Sequence, residues 1–176
     1  GVGVTQNSMG FYSPDDANSH WELIPADALT EYLALVKHAD SVLVRDAAKA
    51  VSTHSYHQAF RAHLATESQR TTATQADIDL LKSQLAAWDV WRTADSTLQA
   101  DAASVQHIQP FLNDFKAKLA ALTLASSTQG LEDAQELIKA WHTWKKAAES
   151  FFWNILKEPE EKKTNLFQNI PQSTDS

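Results

Sequence analysis

The amino-acid sequence predicts an all-α protein: a single antiparallel helical bundle of four to five helices, with an irregular N-terminal arm and a polar C-terminal tail. Three observations carry this expectation. Only four Gly and five Pro punctuate 176 residues, in a chain otherwise rich in Ala, Leu, Gln and Lys, side chains that lose little freedom on a helix. Apolar residues recur at steps of three and four over long stretches, the period of one helix face. No stretch alternates polar and apolar residues at the strand period. The length suits one domain with its own hydrophobic core.

Residues 1–25 form an extended arm in this reading. Gly1, Gly3 and Gly10 loosen the backbone and Ser13-Pro14-Asp15-Asp16 has turn composition. Met9, Phe11, Tyr12, Trp21, Leu23 and Ile24 nevertheless make the arm too apolar for a solvated tail. It is expected to lie across the bundle or across a partner.

The bundle is assigned to 26–157. Pro25 and Asp27 open its first helix, proline in the first turn and acid near the N-terminus. Leu29, Leu33, Val36, Leu43, Ala47 and Val51 follow at mostly helical spacing. Ser52-Thr53-His54-Ser55 weakens the pattern before Tyr56, Phe60 and Leu64 resume it, so either one helix with a soft middle or two consecutive helices fit. Thr71 to Thr74 is a polar break, and Thr74 with Asp77 approximates a capping box. The next stripe is Ile78, Leu81, Leu85, Trp88 and Trp91. After Asp95-Ser96 comes the cleanest seam, Val105, Ile108, Leu112, Phe115, Leu119 and Leu122, alternating steps of three and four as a bundle interface demands. Pro110 lies off that seam, and either kinks a long helix or starts a new one in its first turn.

Ser126-Ser127-Thr128-Gln129-Gly130 closes that element. Glu132, Asp133 and Glu136 then mark the start of the last helix, with Lys139, Lys145 and Lys146 farther on, as the helix dipole favours. Its apolar side runs Leu131, Ala134, Ile138, Trp141, Ala148, Phe152 and Ile155, and Pro159 ends it. The tail, 158–176, is polar apart from Leu166, Phe167 and Ile170. Leu85, Ala87, Trp88, Trp91, Arg92, Ala94 and Leu98 match Ile138, Ala140, Trp141, Trp144, Lys145, Ala147 and Phe151 at one constant offset. A duplicated hairpin would explain the echo, but its second half dissolves into Glu158-Pro159-Glu160, and two helices solving the same packing problem is the simpler account.

Charge and composition remove several function classes. The formal net charge is −7, with 15 Lys and Arg against 22 Asp and Glu, and no cation precedes Lys37. Neutralising phosphates needs clustered cations, so nucleic acid is not expected as a partner. With no Cys there is no disulfide, thiol nucleophile or thiolate metal site, and the compartment stays open. No apolar run approaches a membrane span. A charged n-region followed by an apolar stretch is missing, so any secretory signal is expected to have been removed. Gly1-Val2-Gly3-Val4-Thr5 fits the N-myristoylation pattern if a Met once preceded it, but the basic patch that would reinforce one acyl chain is missing.

Chemistry-bearing constellations are sparse. His54, His57 and His63 lie close in sequence with Glu67 four residues beyond, yet no metal-binding His-Glu-x-x-His or Glu-x-x-His pair is present. Surface or capping histidines are the expectation, with no metal and no cofactor. There is no Gly-x-Ser-x-Gly elbow or phosphate loop, and paired carboxylates such as Asp77 with Asp79 and Glu132 with Asp133 fall where helix dipoles account for them. An enzyme is therefore not expected. Trp88, Trp91, Trp141 and Trp144 fall on apolar helix faces, either as core or as the walls of a ligand pocket. Trp153 falls on the flank of its helix, a placement suited to anchoring a protein partner.

The functional expectation is a non-enzymatic structural or assembly subunit that holds other proteins through Phe11, Tyr12, Trp21, Trp153 and Phe167. The alternative is a ligand-binding bundle, an extracytoplasmic sensor or carrier module, with Trp88, Trp91, Trp141 and Trp144 as its pocket.

Overall fold

The computed structural model describes residues 27–104 and 106–156, and these contain five α-helices and no strand. They are α1 (Ala28–Arg45), α2 (His54–Glu67), α3 (Gln75–Ser104), α4 (Gln109–Ala120) and α5 (Gln129–Leu156). Single 3-10 turns at Ala47–Lys49 and Gln106–Ile108 follow α1 and precede α4.

Contacts between helices fix their directions. Tyr32, Asp40 and Leu43 of α1 meet Glu67, Arg61 and His57 of α2, so one number rises as the other falls and the pair is antiparallel. α3 runs with α1: Arg70 ties Asp77 to Tyr32 at one end, and Trp88 meets Asp46 farther along. Trp91 and Asp101 of α3 meet Trp141 and Lys145 of α5, again both rising. Phe115 and His107 meet Trp141 and Phe152, which sets α4 against α5. The bundle is thus up-down-up-down-up, with α3 packed on α1, α4 and α5. At 30 residues α3 is about 45 Å long, against about 27 Å for the 18 residues of α1. α3 therefore overruns the α1–α2 hairpin, and the tip beyond it is built from α3, α4 and α5.

Helix starts follow local chemistry. Asp27 caps α1 by accepting from the Thr30 amide and hydroxyl, both at 3.0 Å. The capping box before α3 forms: the Thr74 amide donates to Asp77 at 2.8 Å and the Asp77 amide to the Thr74 hydroxyl at 3.2 Å. Pro110 is exposed in the first turn of a new helix, α4, where its missing N–H costs nothing.

Three sequence expectations need correction or refinement. The weak stretch from Ser52 to Ser55 is a break between two helices that ends at Thr53, with His54 and Ser55 already opening α2; Asp95 of α3 accepts from the amides of Val51, Ser52 and Thr53. Asp95-Ser96 itself interrupts nothing; α3 runs through it, with Asp95 facing inward at 0% exposure. The element ending in the 126–130 region stops earlier, at Ala120, and Gly130 belongs to the first turn of α5. Glycine is required there, because a Cβ would sit 2.2 Å from that of Ala125. Gln84 pins the same loop by donating to the Ala125 carbonyl at 2.8 Å.

The core is one cluster reaching from Tyr32, Val36 and Leu43 through Phe60, Leu64, Leu81 and Trp88 to Trp141 and Ala148. Ile108, Leu112, Phe115 and Leu119 of the seam are buried and Leu122 is half-buried, while Val105 lies outside the described residues.

Candidate functional site

The four tryptophans on apolar faces are packing elements. Trp88 is 0% exposed; its indole stacks on Tyr56 at 6.1 Å and donates to the Asp46 carboxylate at 3.0 Å. Burial pushes the Tyr56 phenol up to about 12, so the stack is uncharged near neutrality. Trp91 and Trp141 are buried with ring centres 6.0 Å apart, and Phe115 covers Trp141 at 4.0 Å. Trp144 is half-buried, and the buried N–H groups of Trp141 and Trp144 have no partner among the described residues. None of these rings lines the grooves at Leu33 and Ser68, at Ala47 and Arg61, or at Asp89 and His142. Trp88, Trp91 and Trp141 are thus core, and Trp144 packs against it.

Two buried carboxylates lie beside this core. Asp46, immediately after α1, accepts from Trp88 and from the Arg45 guanidinium, and Arg92 approaches to 3.4 Å. Burial alone would raise its pKa, but the hydrogen bonds from Arg45 and Trp88 and the two positive charges outweigh this and hold it below the usual carboxylate range. Asp95 accepts from the amides of Val51, Ser52 and Thr53, from the Thr53 hydroxyl at 2.7 Å and from Gln99. Asp46 is taken up by side chains of the bundle and Asp95 by three backbone amides and two side chains, so these acids act as structural clamps. Sequence reasoning missed both, although the spacing contained the signal: Ala39, Leu43, Asp46 and Trp91, Asp95, Leu98 place each acid on a buried stripe.

The histidines do not converge. His54 is exposed at the start of α2, His63 is half-buried, and His57 is buried with Nε2 2.7 Å from the Leu43 carbonyl. His57 is therefore not at the surface; it caps, bonding a carbonyl in the last turn of α1 while its ring packs on Trp88 at 5.3 Å. Among the described residues no group of three or more His, Cys, Asp or Glu is placed to hold a metal ion. Glu67 is engaged elsewhere, bonding the Tyr32 hydroxyl and Arg70.

Two surface features remain. At the tip, His107 stacks on Phe152 at 3.8 Å, and Trp153 follows edge-on at 6.5 Å with 63% of its surface exposed. The sequence placed Trp153 on a flank, and the structure puts it there. Among the described residues it is the one large aromatic side chain left exposed. Phe11, Tyr12, Trp21 and Phe167, the other residues expected at a partner surface, lie outside the described residues. The second feature is a groove of about 590 Å³ between α1 and α2, floored by Leu33, Val36 and Leu64 and rimmed by Lys37, Asp40 and Arg61. No pattern in the sequence marked it, because its floor belongs to the same stripes that build the core.

No protein-family model, curated protein or solved structure matches the chain. Among the described residues no helix is long and apolar enough to cross a membrane.

Proposed function

We propose that the chain is a non-enzymatic interaction module, a helical bundle that docks on another protein through the tip of α5. The observation that carries the proposal is Trp153. Every other large aromatic side chain among the described residues is buried or half-buried, while this one stands 63% exposed in a row with Phe152 and His107. An exposed Trp flanked by aromatic surface is the composition of an interface anchor, since it offers large apolar area at low conformational cost. The tip also suits docking mechanically. It rests on the α3–α5 contact, braced by the Lys145–Asp101 ion pair at 2.7 Å, so a partner would meet a preorganised surface.

The test uses the full chain in its native source, with a photoreactive residue in place of Asn154. The expected result is a cross-link to one defined protein, lost on Trp153→Ala while circular dichroism and melting temperature are unchanged. A chain that sizes as a monomer in native extract and gives no defined adduct from this position would refute the proposal.

A further inference from the structure

We infer that the groove between α1 and α2 is a binding site for a single-chain monocarboxylate, its acyl chain along Leu33, Ala62 and Ala65 above the buried Val36 and Leu64, and its carboxylate on Lys37. This rests on observations separate from the α5 tip and stands or falls independently of it.

The shape comes first. Leu33 to Asp40 on one wall and Arg61 to Ser68 on the other each span seven helical steps, a trough about 10 Å long. Its volume, about 590 Å³, falls within the range typical of small-molecule sites. Ala62 and Ala65 keep the α2 wall low, because nothing larger than a methyl group projects there. An apolar trough of that length, open to solvent along one side between two antiparallel helices, accommodates an extended hydrocarbon chain lying along it.

Charge then selects the head group. The rim carries two cations and one carboxylate. Asp40 holds Arg61 through two contacts, at 2.9 and 3.3 Å, so those two charges neutralise each other. Lys37 has no carboxylate partner among the described residues, which leaves one uncompensated positive charge above an apolar floor in a chain of net charge −7. Lys37 lies midway along the trough on a flexible stem, within reach of a head group at either end. One anionic group on an apolar body is the ligand that satisfies both features, and an alcohol of the same chain length would satisfy only the floor.

Decanoate and decanol, titrated separately into the full-length protein by calorimetry, test the site. Decanoate is expected to bind saturably at one site per chain and to raise the melting temperature by mass action. Lys37→Gln should weaken decanoate about ten-fold and leave decanol unchanged, as loss of one charge-assisted contact requires. Ala65→Trp, at an exposed groove position, should fill the trough and abolish both; Ala62→Trp serves if the first variant is misfolded by circular dichroism. The inference is overturned if decanoate shows no saturable binding, if Lys37→Gln leaves its affinity unchanged, or if binding survives a filled trough. A photo-cross-link from position 65 to residues 1–26 in ligand-free protein would overturn it equally, by showing that the chain's own arm occupies the groove.

Discussion

Replacing Asp95 isolates the most heavily used side chain in the bundle. Its carboxylate lies on α3, yet it satisfies the backbone between the 3-10 turn and α2, more than forty residues away in sequence. The Val51 amide has a second acceptor, the Lys49 carbonyl at 3.0 Å. The amides of Ser52 and Thr53 are buried and depend on Asp95. A buried donor left without a partner costs about 1–3 kcal/mol, so Asp95→Ala should destabilise by about 2–6 kcal/mol from these two amides. Asp95→Asn is the sharper probe because it keeps the shape. Its oxygen can take the position serving Thr53, but its NH2 then confronts the Ser52 amide and the Gln99 side chain, both donors. One orphaned amide predicts a loss of about 1–3 kcal/mol.

Urea unfolding at neutral pH measures the totals, and native-state hydrogen exchange locates them. In Asp95→Asn the Ser52 amide should lose protection before the Thr53 amide does. Asp79→Asn, on the exposed face of α3, is the control and should stay within about 0.5 kcal/mol of the parent. A cost for Asp95→Asn no larger than that of the control, or unchanged protection at Ser52 and Thr53, would refute the assignment of this carboxylate as the clamp on the backbone leading into α2.

Gly130→Ala would ordinarily stabilise a helix by about 1 kcal/mol, but the 2.2 Å approach to Ala125 reverses the sign, and thermal unfolding should show a loss of about 1–3 kcal/mol. Because the Asp46 pKa is depressed on folding, its contribution is fully present above the unfolded carboxylate pKa of about 4 and is lost as pH falls through the folded value. Urea midpoints measured from pH 7 to pH 3 should therefore fall, with a shallower fall in Asp46→Asn; equal slopes would contradict the pairing. Trp88→Ala should cost about 3–5 kcal/mol by cavity formation, while Trp153→Ala should change stability by no more than about 0.5 kcal/mol; comparable losses from the two would mean that Trp153 packs inward.

The fold was largely legible because its information is local and periodic. The stripe from Ile78 to Trp91 and the seam from Ile108 to Leu119 announce one buried face each, and capping at Asp27 and Thr74 follows from side-chain chemistry within three residues. What escaped was non-local. Asp95-Ser96 resembles a polar interruption when read alone, and becomes an interior position only through amides contributed by residues 51 to 53. The end of α4 was misplaced for a related reason: Ala121 to Ala125 has good helix formers, but Gln84 binds the Ala125 carbonyl and holds that segment as a loop. The candidate site was legible in one part. Trp153 stands out as a large apolar residue off its stripe, whereas the α1–α2 groove arises from the spacing between two helices, which no single stripe encodes.

The two buried acids differ from the rest of the core in what they specify. Along α3, α4 and α5 the contacts are mostly apolar rings and aliphatic chains, with the Lys145–Asp101 ion pair beside them, and the apolar ones are non-directional and tolerate small shifts of one helix along another. The hairpin of α1 and α2 is held differently. Asp46 fixes the end of α1 to Trp88, and Asp95 fixes the start of α2 from one α3 position two turns on, so both ends of the connection are bolted to the same helix. A slide of the hairpin by a single turn would leave the Trp88 indole N–H and the Ser52 and Thr53 amides buried without partners and strip each carboxylate of most of its donors, a penalty apolar packing could not offset. The separation of α1 and α2, and with it the width of the groove between them, is therefore set jointly by the contacts across the hairpin, Tyr32–Glu67, Asp40–Arg61 and His57–Leu43, and by the α3 carboxylate that fixes the start of α2. Asp95→Ala should accordingly alter decanoate affinity without touching the groove, whereas Asp79→Asn should not.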